Sequence, residues 1–448
     1  MPSIDLLLPC LSLCTDTTTR CHLGVLVPAL LSMTGRITML GISRWTDKGG
    51  SYRTIQRFFG HSIAWGRLHW CLMRHHLLDT SACYILAGDE VVVTKSGKQT
   101  YGLGRFFSSL YKRAVPGVCF FSFALINTQT RRAYPVLCQQ VLSDKDKEEE
   151  TTPAKKKQAE AEKASKSPKR KPGRPKGSKN KDKRNPDLSP YLRFIQTHLK
   201  GLIQRMGTTL PLTYLVLDGA FGHNNALQMT RQCKMHLISK LKHNSALYFP
   251  YQGPQKERGQ RRIYGDKIDY DNIPHTYLKN TTRQGSIQTQ IYHLTLRHQS
   301  FAEPINVVLI VKTHLETHKK AHVVLFSSDL DLSYETLIDY YTLRFQIEFT
   351  FRDAKQFWGL EDFMNITQTA VHNGANLAFF MVNIAHIILQ NVRQDTGITD
   401  WSVQDLKARF TGLKYVREIL KLLPQKPHSI FIRHINTHIA TLGAIRAP

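Results

Sequence analysis

The chain has 448 residues, of which 42% are hydrophobic, and this is enough for two or three domains with a sizeable core. Its formal net charge of +27 favours a polyanionic partner, most often nucleic acid. Asp5 stands where a signal peptide would carry positive charge, and no apolar run reaches the roughly 18 to 20 residues of a membrane span. We therefore expect an intracellular protein without a membrane segment.

The eight cysteines predict reduced thiols. They include no C-x2-C pair, and Cys10 with Cys14 has no second pair of Cys or His at zinc-finger spacing. Disulfides are rare in intracellular proteins. Neither a disulfide framework nor zinc chemistry is expected from this spacing.

Residues 1 to 80 are predicted to be helical. Basic and apolar residues alternate there at helical spacing, with Ile55, Phe58 and Phe59 turned inward. Arg44, Arg53 and Arg57 would form an exposed face that contacts DNA ends. The alternative is a helical cap whose charges are only solvated.

The pattern then changes to strands. Residues 83–93, 118–127 and 132–141 are apolar runs that predict three strands in a meander, with Asp89 at or inside the first. A helix near 190–206 precedes an apolar strand that ends at Asp218, and Gly219 and Gly222 open the loop beyond it. Buried acids are rare unless paired or bound to metal, so both aspartates indicate a site. The alternatives are that Glu90, not Asp89, is the exposed acid, and that Asp218 only caps the turn that follows it.

Between Ser143 and Asp187 the composition predicts a disordered linker. It holds sixteen Lys and Arg, nine Asp and Glu, and no aromatic residue, so its net charge is +7 and +20 remains elsewhere. Its segment KRKPGRPKGSKNK resembles an AT-hook, which lies in the narrow minor groove of A·T-rich DNA. The resemblance assigns DNA contacts to Lys171, Arg174 and Lys176. A solvated basic linker is the alternative.

The stretch from Asp339 to Trp358 holds the most specific pattern, Y-x2-R-x3-E-x6-K. On one helix, at about 100° per residue, its four residues share an arc of roughly 60° opposite an apolar face. These residues are Tyr341, Arg344, Glu348 and Lys355. A carboxylate between cations and a phenol suits a metal ion and a phosphate backbone, whereas an ordinary i±4 ion-pair ladder with Arg344 and Arg352 is the alternative.

Three carboxylates on the first strand, a later strand and a late helix match the layout of a ribonuclease-H-like core. The predicted fold class is α/β (α+β), with a mixed sheet, a β-rich insertion and flanking helical N- and C-terminal regions. In such a core, hard oxygen ligands point to two Mg²⁺ ions, with Mn²⁺ a possible substitute.

With these motifs the chain resembles the DDE transposases of bacterial insertion sequences, specifically the insertion-sequence-four family. The resemblance covers most of residues 83 to 390 and implies that Asp89, Asp218 and Glu348 hold the metal. Tyr341, Arg344 and Lys355 would bind phosphate at the transposon end. It further implies a homodimeric synaptic complex on double-stranded DNA, cut-and-paste transposition, and a prokaryotic cytoplasmic, nucleoid-associated location.

Two features depart from this family. No Trp lies between Trp70 and Trp358 to stack a flipped base, so Tyr248 or Phe249 would have to serve. The AT-hook-like linker is not a general feature of the family. The competing functions are a catalytically inactive or domesticated DNA-binding protein and a stand-alone nuclease with the same core.

The predicted organisation has seven regions: 1–80, helical; 81–142, first part of the core; 143–188, linker; 189–242, second part of the core; 243–330, β-rich insertion; 331–390, core helix with the Y-R-E-K pattern and the following helix; 391–448, helical C-terminal region.

Overall fold

The computed structural model describes residues 7–108, 111–142, 182–396, 401–425, 427–439 and 442. The chain begins with a 3-10 helix at Pro9–Leu13 and four α-helices: α1, Thr17–Ser32; α2, Met39–Trp45; α3, Tyr52–Gly60; α4, Trp65–His76. Asp16, Thr38 and Ser51 begin the first three α-helices, since each side chain accepts a hydrogen bond from a backbone N–H of the first turn. Ile55, Phe58 and Phe59 are buried as predicted, and Arg44, Arg53 and Arg57 are exposed.

Six strands form the core of the sheet: β1, Tyr84–Thr94; β2, Gly104–Ser108; β3, Arg113–Asn127; β4, Arg132–Val141; β5, Tyr214–Val216; β6, His236–Leu241. β3 lies antiparallel between β1 and β4, and β2 also pairs with β3. β5 pairs parallel with β1, and β6 pairs parallel with β5. The order β4-β3-β1-β5-β6 is the mixed sheet of a ribonuclease-H-like core, which confirms the predicted fold class.

The β-rich insertion continues this sheet. Its strands are β7, Leu247–Pro250; β8, Tyr264–Lys267; β9, Leu278–Gln284; β10, Ile287–His298; β11, Ile305–His314; β12, Lys320–Ser327. β12 pairs antiparallel with β6, and β11 and β10 follow it outward. The described strands therefore form one twelve-stranded sheet with β1 and β5 inside it.

The remaining α-helices are α5, Pro190–Met206; α6, Asn224–Gln232; α7, Tyr334–Leu343; α8, Gln346–Phe357; α9, Gln368–Thr396; α10, Val403–Leu422; α11, Ser429–Ile439. The prediction of one helix from Asp339 to Trp358 is wrong. The chain tightens at Arg344 and Phe345, where the Phe345 N–H donates to the Thr342 carbonyl three residues back. Glu348 consequently lies in the first turn of α8.

Helix α9 is long and apolar enough to cross a membrane, which the sequence analysis did not predict, but it is a core helix here. Of its most apolar window, 83% is buried inside the protein. Within the described residues β4 pairs only with β3, and two asparagines of α9 bond its carbonyl groups. Asn376 Nδ2 donates to the Cys138 carbonyl at 3.2 Å, and Asn383 Nδ2 donates to the Pro135 carbonyl at 2.7 Å. Asparagines at these positions suit a helix that covers a sheet edge.

The predicted linker lies mostly outside the described residues, and so do Lys171, Arg174 and Lys176. Its last seven residues, 182–188, are described. There Arg184 pairs with Glu303 before β11, and the Lys183 carbonyl accepts a hydrogen bond from Asn224 of α6.

Candidate metal and nucleic-acid site

Asp89 and Asp218 are brought together by the parallel pairing of β1 with β5. Ala87 of β1 lies opposite Val216 of β5. Asp89 and Asp218 each follow this last pair by two residues, and their carboxylates are close enough to interact electrostatically. Because side chains two residues apart point to the same face of a sheet, both carboxylates extend from one side of the central strands.

The loop after β5 holds Asp218 in place. Its side chain accepts the Ala220 N–H at 3.1 Å, so it caps the short 3-10 helix Gly219–Phe221, in agreement with the capping alternative. Its carbonyl accepts the Ser239 hydroxyl of β6 at 2.6 Å. A Cβ at Gly222 would stand 2.2 Å from the Lys240 carbonyl oxygen, so only glycine fits this approach of loop and strand. Asp218 thus caps a turn and still faces the site.

Arg344 joins Asp89 to Glu348. Its Nη1 lies 2.7 Å from Oδ2 of Asp89, and its Nη2 lies 3.3 Å from Oε1 of Glu348. The arginine side chain is only 14% exposed. With this little solvent the attraction is less screened than at the surface, and loss of the arginine would leave a largely buried carboxylate without its partner. Glu348 pairs here with Arg344, whereas Arg352 pairs with Asp353.

The electrostatics of Asp89 reflect this crowding of acids. Burial, together with the nearby charges of Asp218 and Glu348, raises the pKa of its carboxyl to about 6, against the attraction of Arg344 and a hydrogen bond from the Glu90 N–H. The three carboxylates therefore act on one another although they come from segments more than a hundred residues apart. Burial likewise raises the pKa of the Tyr341 phenol, which interacts with Arg344, Asp218 and Asp89.

Lys355 lies on the same helix but has other partners. Its Nζ donates to the Val92 carbonyl of β1 at 2.9 Å and lies 3.1 Å from Oε1 of Glu361. It anchors α8 to β1 just beyond Asp89. Of the four predicted residues in the helical pattern, Tyr341, Arg344 and Glu348 converge on Asp89, and Lys355 stands beside them.

Glu90 points away from this cluster. Its carboxylate accepts a hydrogen bond from the Tyr191 hydroxyl of α5. Neighbouring residues of a strand face opposite sides of the sheet, so Asp89 and Glu90 cannot both reach Asp218. The structure places Asp89 with the other acids.

Two exposed aromatic residues beside Glu348 were not predicted from the sequence as part of the site. Phe345 and Phe349 are 48% and 38% exposed, and their rings meet edge to face at 5.5 Å. The guanidinium of Arg352 lies over the Phe349 ring, 4.9 Å from its centre. The predicted base-stacking residues Tyr248 and Phe249 contact Tyr264 and Tyr277 inside the insertion. Their positions in the sequence, four residues apart and next to residues of the Y-R-E-K pattern, could have indicated them as candidates for base stacking.

The cluster fits a divalent cation. Three carboxylates supply hard oxygen ligands, which Mg²⁺ and Mn²⁺ prefer over nitrogen or sulfur. The carboxyl of Asp89 is held among two other acids in a largely buried place, and burial is the main cause of its raised pKa. A cation held by Asp89, Asp218 and Glu348 would supply positive charge there.

A model of the DDE superfamily endonuclease family matches residues 7–300. This is more than half of the chain, and the chain belongs to that family. The matched residues include Asp89 and Asp218, whereas Glu348 lies beyond them. Membership supports a nuclease-type activity on DNA that depends on divalent metal ions. No curated protein matches the chain.

Proposed function

We propose that this protein is a DNA transposase of the insertion-sequence-four type, which cleaves the ends of its element and joins them to target DNA. The observation that carries this proposal is the convergence of Asp89, Asp218 and Glu348 with Arg344 between two of them. Family membership supplies the endonuclease class. The basic charge outside the linker, +20, supports binding to a long polyanion.

In this proposal the three carboxylates hold two Mg²⁺ ions, for which Mn²⁺ can substitute. The bound ions would activate the attacking oxygen and stabilise the leaving oxygen of an in-line displacement at phosphorus. In the first step water would attack phosphorus and the P–O3′ bond would break, which leaves a 3′-hydroxyl and a 5′-phosphate. In the second step that 3′-hydroxyl would form a new bond to a target phosphorus and displace the 3′ oxygen of the target strand. Asp89, Asp218 and Glu348 contribute by fixing the position at which the scissile phosphate is held.

Tyr341, Arg344 and Lys355 position the DNA backbone. Arg344 is shared between two carboxylates, and it can turn toward a phosphate once their charge is neutralised. Its planar group suits bidentate contact with phosphate oxygens. Lys355 pairs with the exposed carboxylate of Glu361, and it has to leave that partner to bind a phosphate. The exposed rings of Phe345 and Phe349 offer a stacking surface for an unpaired base beside Glu348. A homodimer would hold two ends together.

The test is strand transfer of a labelled end fragment of its own element into plasmid DNA with Mg²⁺, comparing the unaltered chain with Glu348→Gln. That change keeps the side-chain shape and removes the charge. Glu335→Gln, in the first turn of α7, is the matched control and should retain activity. We expect the unaltered chain to join ends and Glu348→Gln to bind DNA without cutting.

The other outcomes separate the competing functions. Tight binding without cutting by either protein, in Mg²⁺ or Mn²⁺, would identify an inactive DNA-binding relative and overturn the proposal. Cutting without joining would identify a stand-alone nuclease. Joining by Glu348→Gln at the rate of the unaltered chain would remove Glu348 from the site.

A further inference from the structure

A second cluster of metal-ligating side chains lies in the N-terminal helical region. Donor atoms of Cys10, Cys71 and His75 all lie within 4.8 Å of one another. Cys10 belongs to the 3-10 helix Pro9–Leu13, and the other two are four residues apart on one face of α4. Zinc-finger spacing along the sequence could not indicate this cluster, because the fold brings Cys71 of α4 against Cys10 from 61 residues away.

Two further donors complete the cluster. Cys14, directly after the 3-10 helix, interacts with the thiols of both Cys71 and Cys10. His76 lies with its Nε2 3.6 Å from Sγ of Cys10. Three sulfurs and two imidazoles thus come from two short segments of the described chain.

The spacing matches a tetrahedral site. Zn–S bonds of about 2.3 Å and Zn–N bonds of about 2.0 to 2.1 Å place a sulfur and a nitrogen ligand about 3.6 Å apart at the tetrahedral angle. Cys10 Sγ and His76 Nε2 have that separation. Cys71 Sγ and His75 Nδ1 also have it, but this Nδ1 donates to the Cys71 carbonyl at 2.8 Å and has to leave that hydrogen bond before it can bind a metal ion. Only the Cys71–His75 pair belongs to the triad, and its other two pairs, Cys10–Cys71 and Cys10–His75, lie within the wider 4.8 Å limit, so metal binding requires the 3-10 helix to close slightly onto α4.

The chemistry of the donors selects the metal. Thiolates and imidazoles favour zinc over Mg²⁺ or Mn²⁺, which prefer oxygen.

We propose that Cys10, Cys71 and His75 bind one zinc ion, with Cys14 or His76 as the fourth ligand. Four protein ligands make this a structural site without an open position. The ion ties the first described residues of the chain to α4 and so fixes the arrangement of the N-terminal helices. It is separate from the carboxylate cluster and does not depend on the proposed function.

The first measurement is the zinc content of the full chain, purified under reducing conditions and desalted. We expect one zinc ion per chain, and loss of it in Cys71→Ser and in His75→Gln. Cys21→Ser is the matched control, because Cys21 is an exposed cysteine of α1 outside the cluster. Glu348→Gln should also keep its zinc, which separates this site from the carboxylates.

A second measurement is needed because Cys71 is buried, so that Cys71→Ser could lose zinc by unfolding and not by loss of a ligand. His75 is exposed, so His75→Gln should fold, and helix content by circular dichroism verifies this. Metal-free, reduced chain titrated with Co²⁺ should develop thiolate-to-cobalt absorption that saturates at one equivalent and disappears on adding zinc. The intensity also counts the thiolates and so decides between Cys14 and His76.

Three results would overturn the proposal. The first is a reduced chain that contains no zinc and gives no cobalt absorption. The second is unchanged zinc in both Cys71→Ser and His75→Gln. The third is a disulfide between Cys10 and Cys71 in the protein as isolated, found by mass spectrometry of the non-reduced chain.

Discussion

Arg344 and Asp89 form an ion pair of 2.7 Å across 255 residues of sequence, and this pair balances part of the negative charge at the centre of the sheet. The same guanidinium reaches Glu348, so one cation serves two of the three acids. Charge balance at this point therefore links the strand that carries Asp89 to the junction of α7 and α8.

Replacing Arg344 by Gln should destabilise the metal-free protein. A half-buried carboxylate loses its charged partner, and the expected loss is about 1 to 3 kcal/mol of unfolding free energy. Mn²⁺ should then raise the melting temperature more in Arg344→Gln than in the unaltered chain, because the metal restores the missing positive charge. Calorimetry with and without Mn²⁺ measures both effects.

The matched control is Arg131→Gln, which breaks an equally short ion pair with Asp339 at an exposed place. Its effect should be within about 1 kcal/mol and independent of Mn²⁺. An equal Mn²⁺ response in all three proteins would show that no metal binds next to Arg344.

Metal affinity should decrease as the pH falls through about 6. Asp89 has to be ionised to bind a cation, and its pKa is raised to about 6 by burial and by the neighbouring acids. Below that value the ionised fraction drops about tenfold per pH unit, and the Mn²⁺ dissociation constant should rise accordingly. Titration calorimetry at several pH values tests this, and Asp89→Asn, which lacks this ligand, should bind Mn²⁺ weakly over the whole pH range.

The same shift affects the metal-free fold in the opposite sense. The folded protein holds the Asp89 proton more tightly than the unfolded chain does, so stability decreases as the pH rises from about 4 to about 6. A flat stability in Asp89→Asn over this interval, compared with a slope in the unaltered chain, is the expected result. Equal slopes would contradict it.

Asn373→Ala should be among the costly substitutions of the core. Asn373 of α9 is fully buried, accepts the Trp65 indole N–H at 2.7 Å, and donates to the Phe59 and His61 carbonyls. Without these hydrogen bonds the buried partner groups are unpaired, and we expect the free energy of unfolding to fall by about 2 to 4 kcal/mol. Chemical denaturation measures the change, and Gln368→Ala, at an exposed position of the same helix, should have almost no effect.

The predicted DNA contacts of the linker should affect how DNA affinity depends on salt. If Lys171, Arg174 and Lys176 bind phosphates, replacing all three by Gln should reduce the slope of log affinity against log salt by about 0.9 for each phosphate that is no longer neutralised. The control changes Lys155, Lys156 and Lys157, which carry the same charge outside the Gly-Arg-Pro core. Equal weakening of both triple variants on A·T-rich DNA would favour the plain basic linker.

The sequence predicted the core sheet and its acids because each depends on a local pattern. An apolar run interrupted at Asp89 marks β1, and the run before Asp218 marks β5 although only three residues pair there. The break at Arg344 was not predictable, since neither Gly nor Pro marks it. The contact of Arg344 with Asp89 and the contact of α4 with Cys10 both arise from tertiary packing. Residue spacing along the chain does not indicate such contacts.

The asparagines of α9 have a consequence for synthesis of the chain. The Pro135 and Cys138 carbonyls of β4 are bonded by residues that the ribosome adds 248 and 238 positions later. Until α9 emerges, β4 presents an unpaired edge to other nascent chains, and such edges promote aggregation. A product truncated before residue 376 would keep that edge open, so incomplete chains should be lost to aggregation or degradation.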